Sequence, residues 1–117
     1  MPTYIVKYSN FNLSPSQKKI IASGITKIHT QVTGANTFFA QVIFQKNEKN
    51  SHFMGGKIVK NREIFLNGQI RAGRSASIKK KLILSMREIL IKKTKLKKDF
   101  IWVYLEDLAP QQMIEYG

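Results

Sequence analysis

An internal repeat narrows the fold more than any other feature of this sequence. Displacing the 117-residue chain by 61 positions lays its second half on its first without a gap. Ser14, Ser16, Lys18, Lys19, Thr33, Phe39 and Val42 then fall on Ser75, Ser77, Lys79, Lys80, Thr94, Phe100 and Val103. The identities are few, but the patterns agree along the whole length. "TYIVKYS" meets "IFLNGQI" as a strand, "SPSQKKIIASGITKIHTQVTG" meets "SASIKKKLILSMREILIKKTK" as a helix, and "FFAQVIFQ" meets "FIWVYLED" as a second strand. Strands joined through a helix run parallel, since an antiparallel neighbour needs only a tight turn. Two such units side by side predict an α+β fold, a four-stranded mixed sheet with both helices on one face. The halves divide at about 1–56 and 57–117, and at this length residues 1–117 are expected to form one domain.

The helix assignments have mechanisms. Ser14 is a suitable N-cap, Pro15 suits the first helical position, Gln17 completes a capping box, and Gly34 can adopt the left-handed conformation past the end. Ile21, Ile25, Ile28 and Val32 share one helical face, as do Ile78, Leu82, Met86 and Ile89. Those faces are expected on the sheet. Leu84 and Ile91 lie off the second stripe and suggest a further apolar contact. The other sheet face, with Trp102 and its neighbours, would be bare in a monomer, and oligomerisation is the expected cover. Between the halves, "QKNEKNSHFMGGKIVKNR" reads as a polar loop with room for a short hairpin at Gly55-Gly56.

Charge and composition restrict the partners. Twenty Lys and Arg against seven Asp and Glu give a formal net charge of +13, which attracts anions. Most lysines fall in helical or helix-flanking stretches, where a solvated face explains them. A basic nucleic-acid-binding module is the competing reading, but "RAGRSAS" is no phosphate loop and no RNA-recognition signature with stacked aromatics is present. The chain has no cysteine, so disulfides and thiolate sites are excluded and a cytoplasmic location is the expectation. No apolar run approaches the roughly 20 residues of a membrane span. No metal-ligand spacing is visible, and neither metal nor cofactor is expected. His52 reads as an isolated loop histidine.

Several polar residues break the repeat or sit at strand ends. Pro2 precedes the first strand. His29 lies in the first helix where the repeat has Leu90. "QIRAGRSAS" places Arg71 and Arg74 in the loop entering the second helix, Tyr104 is on the last strand, and Glu115 lies in the closing "QQMIEYG".

With these residues in place, "LSPSQKKIIASGIT", "NTFFAQVIFQ", "HFMGG", "IFLNGQIRAGRSA" and "IWVYLEDLAPQQMIEYG" together resemble the tautomerase superfamily, and within it the cis-3-chloroacrylic acid dehalogenase group. The resemblance covers nearly the whole chain, except that the group carries a C-terminal extension beyond the segment matching "EYG". It implies a homotrimer acting on a small carboxylate without a cofactor. It also implies catalytic roles for Pro2, His29, Tyr104 and Glu115, with Arg71, Arg74 and His29 binding substrate. Removal of Met1 would make Pro2 a secondary amine, and α-amino groups titrate near ~8 in unperturbed peptides. Two arginines three residues apart at a helix start can direct guanidinium forks at one carboxylate. The activity so implied is hydration, dehalogenation or keto–enol tautomerisation of an α,β-unsaturated or enolisable acid. Phe38, Phe39 and Leu66 are expected to shape the pocket.

Overall fold

The computed structural model describes residues 1–115. Alternation of inward apolar and outward residues defines β1 (Thr3–Ser9), which leads to α1 (Pro15–Thr33) and β2 (Gln41–Lys46). A two-stranded hairpin follows, β3 (Phe53–Met54) and β4 (Lys57–Ile58), paired antiparallel across Gly55-Gly56. The second half repeats the plan with β5 (Glu63–Arg71), α2 (Ala76–Thr94) and β6 (Ile101–Leu108). The main sheet has the order β2-β1-β5-β6. Each half contributes a parallel pair, β1 with β2 and β5 with β6, and the halves meet antiparallel along β1 and β5. The mixed sheet expected from the repeat is therefore present, with both helices packed on one face.

Local chemistry repeats in detail. Ser14 and Ser75 cap the two helices, accepting from the backbone N–H of Gln17 and Ile78, and the first cap is a full capping box with Pro15 behind it. Both helices end on a left-handed residue, Gly34 (φ 77°) and Lys95 (φ 64°). At both ends a threonine folds back: the Thr33 hydroxyl donates to the His29 carbonyl at 2.7 Å, and that of Thr94 to the Leu90 carbonyl at 2.6 Å.

The gapless repeat fails at one place. Helices and second strands correspond at 61, but the sheet register pairs Tyr4 with Val42 and Leu66 with Val103, so the first strands correspond at 62. A one-residue slip turns every strand side chain to the opposite face. At 61, buried Tyr4 would be matched to outward Phe65; at 62, Tyr4, Val6 and Tyr8 match Leu66, Gly68 and Ile70, all facing the helices. The connection into α2 is one residue shorter than that into α1, which absorbs the difference. "FFAQVIFQ" is also trimmed, because Thr37–Phe39 forms a 3-10 turn before β2 begins.

The core between sheet and helices contains Tyr4, Val6, Ile21, Ile25, Leu66, Ile70, Leu82, Met86 and Leu90, all essentially inaccessible. Ile28, Val32, Ile78, Ile89 and Ile91 pack at its margin, whereas Leu84 remains exposed. Gly24 brings the helices close: a Cβ there would lie 1.9 Å from Ile89 Cδ1. The opposite sheet face presents Ile43, Trp102 and Tyr104 to solvent, the ring of Trp102 stacking on that of Tyr104. His52 is tied in rather than isolated. Its Nδ1 lies 2.7 Å from the buried Ser9 hydroxyl, which accepts from the Asn47 amide at 2.8 Å, and these contacts fasten the linker to β1.

Candidate active site

One end of the fold gathers the start of the chain, the loop entering α2 and the segment after β6. They enclose a cavity of about 440 Å³ whose lining includes Met1, Phe39, Arg71, Arg74, Met113 and Glu115. Arg71 ends β5 because its strand neighbours run out: it faces Leu108, the last residue of β6. Gly73, at φ 109°, turns the chain where a side chain would be strained. Arg74 then precedes the N-cap Ser75, and its Nη1 donates to the Arg71 carbonyl at 3.1 Å. Neither guanidinium has a carboxylate partner among the described residues, whose ion pairs are Met1 with Glu115 and Lys79 with Asp107. Two adjacent cations without a counter-ion, beside a helix start lacking acidic side chains in its first turn, favour an anion.

Pro2 is buried at the head of β1, and its carbonyl accepts the Gln41 N–H at 2.9 Å. With Met1 attached, the Pro2 nitrogen is an amide, and the ammonium at this end belongs to Met1. That ammonium lies 2.5 Å from Glu115 Oε2. The structure thus places the chain terminus within reach of Glu115, at a cavity bearing both arginines.

His29 takes the core position that its repeat partner Leu90 fills with hydrocarbon, and it is 1 % exposed. Its Nδ1 is 2.7 Å from the Tyr4 hydroxyl, and the two rings meet edge-on at 5.6 Å. Burial, and then the charges of Arg74 and the chain terminus, lower its pKa from 6.5 to about 4, so the imidazole is neutral at neutral pH. Burial raises Tyr4 well above the usual tyrosine range, against a smaller opposite pull from Arg74.

Arg71, Arg74 and Glu115 thus line one cavity with Met1, the residue before Pro2, at one end of the fold. His29 is buried in the core within electrostatic reach of Arg74 and the chain terminus, but it is not among the lining residues. Tyr104 does not join them: it lines a separate cavity of about 450 Å³ on the bare sheet face, beside Lys7, His52, Phe65 and Trp102. Leu66, expected at the pocket, is a fully buried core residue in the middle of β5, because alternation turns it toward the helices. Phe39 does line the pocket. Sequence reasoning missed Tyr4 and Met113. Tyr4 carried a usable signal, since a tyrosine on the inward side of a strand needs a partner for its hydroxyl.

A pair of tandem β-α-β units thus carries, around one cavity, the chain terminus, a carboxylate and two arginines that have no carboxylate partner among the described residues. The family profile described as "Putative oxalocrotonate tautomerase enzyme" matches residues 1–116, and the chain belongs to that family, within the tautomerase superfamily. Among solved structures it is similar to native Ps01740 (26% identity over 97% of this chain and 99% of that one, TM-score 0.90). It is also similar to N1, a member of the cis-3-chloroacrylic acid dehalogenase family (23% identity, 98% and 80% covered, TM-score 0.93). A wild-type fused 4-OT described as a symmetric trimer matches with 19% identity, 98% and 92% coverage and a TM-score of 0.87. No curated protein matches the chain significantly. Among the described residues, no helix is long and apolar enough to cross a membrane.

Proposed function

We propose that, once Met1 is removed, the secondary amine of Pro2 transfers a proton at a carbon atom of a small α,β-unsaturated or enolisable carboxylate. The observation that carries this reading is the meeting of the chain terminus, Arg71, Arg74 and Glu115 around one cavity. In hydration, the two guanidinium groups bind the substrate carboxylate and draw electron density toward it, leaving the β-carbon electrophilic. Glu115 takes a proton from water as its oxygen bonds to that carbon, and cationic Pro2 gives its proton to the α-carbon. Water is thereby added across the double bond. If the β-carbon carries a halogen, the adduct expels halide and a proton and leaves an aldehyde. In tautomerisation, neutral Pro2 instead takes the enol proton and returns one to carbon, without a water. The likeness to N1, a member of the cis-3-chloroacrylic acid dehalogenase family, supports the dehalogenase reading.

A homotrimer of single-domain chains completes this proposal. The bare face with Trp102 and Tyr104 needs a cover, and Tyr104 can help orient the attacking water only from a neighbouring protomer, because in its own chain it lies on that face. The test is a preparation freed of Met1, verified by mass spectrometry and assayed with phenylenolpyruvate, both 3-haloacrylic acid isomers and an acetylenic acid. Turnover of at least one acid, abolished when Met1 is retained, is expected. Equal rates with and without Met1 would refute the role of the amine.

A further inference from the structure

We propose that Tyr4 is a positioning residue that holds His29 with its hydrogen on Nε2, leaving that nitrogen as a fixed donor for a carboxylate bound in the arginine pocket. The lining of that pocket includes Thr33 and Gly34 of the next helical turn but not the buried His29 itself; this rests on reading that pocket as a carboxylate site. The Tyr4 hydroxyl and His29 Nδ1 are 2.7 Å apart, and both side chains are sealed in the core. One proton lies between them, and the geometry admits two assignments. If Nδ1–H donated to the phenol oxygen, the phenol hydrogen would itself need an acceptor, and His29 is the hydroxyl's hydrogen-bond partner among the described residues. That arrangement buries an unsatisfied donor at the full cost of its desolvation. With the phenol donating and Nδ1 accepting, both groups are satisfied. A neutral imidazole that accepts at Nδ1 carries its hydrogen on Nε2. The directions of the two pKa shifts agree, since they keep the phenol protonated and the imidazole neutral.

The pair is also held from behind. Gly68 on β5 lies against the Tyr4 ring, where a Cβ would come within 2.5 Å of Tyr4 Cε1 and 2.8 Å of Leu105 Cδ2. Gly68 stands opposite Tyr4 in the β1–β5 register, so the ring occupies space that the missing side chain leaves. The chemical advantage follows from the charges nearby. Arg71 and Arg74 already provide two cations, and a third buried one would be costly. A neutral N–H adds a hydrogen bond to a bound carboxylate without adding charge.

The test is long-range 1H–15N correlation on protein labelled in its two histidines, freed of Met1, with His29→Leu to assign the signals. Wild type at neutral pH is expected to show His29 with Nε2 protonated and Nδ1 bare. Tyr4→Phe should lose that single form and lower kcat/KM on a turned-over acid roughly tenfold or more, the usual scale for removing a group that orients a functional histidine. The loss should appear mainly in KM, since the donor binds the carboxylate in ground and transition states alike. A wild-type spectrum with Nδ1 protonated overturns the proposal even if Tyr4→Phe fails to fold. Unchanged tautomer and kinetics in Tyr4→Phe also overturn it. The reading of the pocket fails separately: a Tyr4-dependent tautomer in a protein that neither turns over any acid nor shifts its His29 signals with propanoate would uphold the Tyr4 role in fixing His29 and refute the carboxylate site.

Discussion

Replacing His29 by leucine tests how this site is supported within a hydrophobic core. The second half of the chain supplies the control, because the equivalents of Tyr4 and His29 are Leu66 and Leu90, both fully buried and apolar. His29→Leu alone strands the Tyr4 hydroxyl, and Tyr4→Phe alone strands His29 Nδ1. A buried polar group left without its partner costs about 1–3 kcal/mol, so each single change should destabilise by about that much. Leucine recovers only a few tenths of a kcal/mol through better helix propensity. The double variant leaves no polar group stranded and should return close to wild-type stability, giving a favourable coupling of about 2 kcal/mol or more. Urea unfolding followed by circular dichroism, at one protomer concentration for all four proteins, measures the cycle. All three variants should lose activity. Additive destabilisation, with the double variant worse than either single one, would show that the hydrogen bond does not couple the two residues and would refute the argument.

Further outcomes follow from the same geometry. Because the folded-state pKa of His29 lies at about 4, below its ordinary value of 6.5, the unfolded chain binds the proton first. Stability should therefore fall as pH drops from about 6.5 to about 4, by at most roughly 3 kcal/mol from this group; His29→Leu should lack that component, so the wild-type minus His29→Leu difference should carry the slope. Arg71→Ala and Arg74→Ala should each reduce kcat/KM at least roughly ten- to hundredfold, the worth of a charge-assisted hydrogen bond, with unchanged circular dichroism; near-normal kinetics would remove the carboxylate-clamp assignment. Gly68→Ala should push the Tyr4 ring and lower activity together with stability by about 1–3 kcal/mol, read by the same assays.

The legible part of the fold was the part written in short-range chemistry. Ser14 with Gln17, Gly34 and the four-residue apolar spacings specify helices through local bonds, and the repeat supplied the two parallel strand pairs. The slip between the first strands was not legible, because a missing loop residue between Arg71 and Ser75 changes no pattern until inward and outward faces are known. At the site, His29 stood out as a polar residue where the repeat has Leu90, and Arg71 and Arg74 as cations beside a glycine. Tyr4 was hidden because its hydroxyl matters only through a partner 25 residues away, a contact made by the packing of α1 on β1. Tyr104 belongs to the candidate set through the family resemblance, and strand alternation turns it to the opposite sheet face of its own chain.

The chain terminus has a consequence for stoichiometry. The strand residue that corresponds to Pro2 in the second half is Ile64, bound in the middle of the polypeptide, where its nitrogen can never be an amine. A duplicated β-α-β unit thus has two copies of the scaffold but a single beginning. If Met1 is removed as proposed, the number of titratable proline amines in any assembly of this protein would equal the number of chains, which is half the number of β-α-β units. The second unit is released from constraints that bind the first, and it has filled the equivalents of Pro2, Tyr4 and His29 with Ile64, Leu66 and Leu90, all in the hydrophobic core.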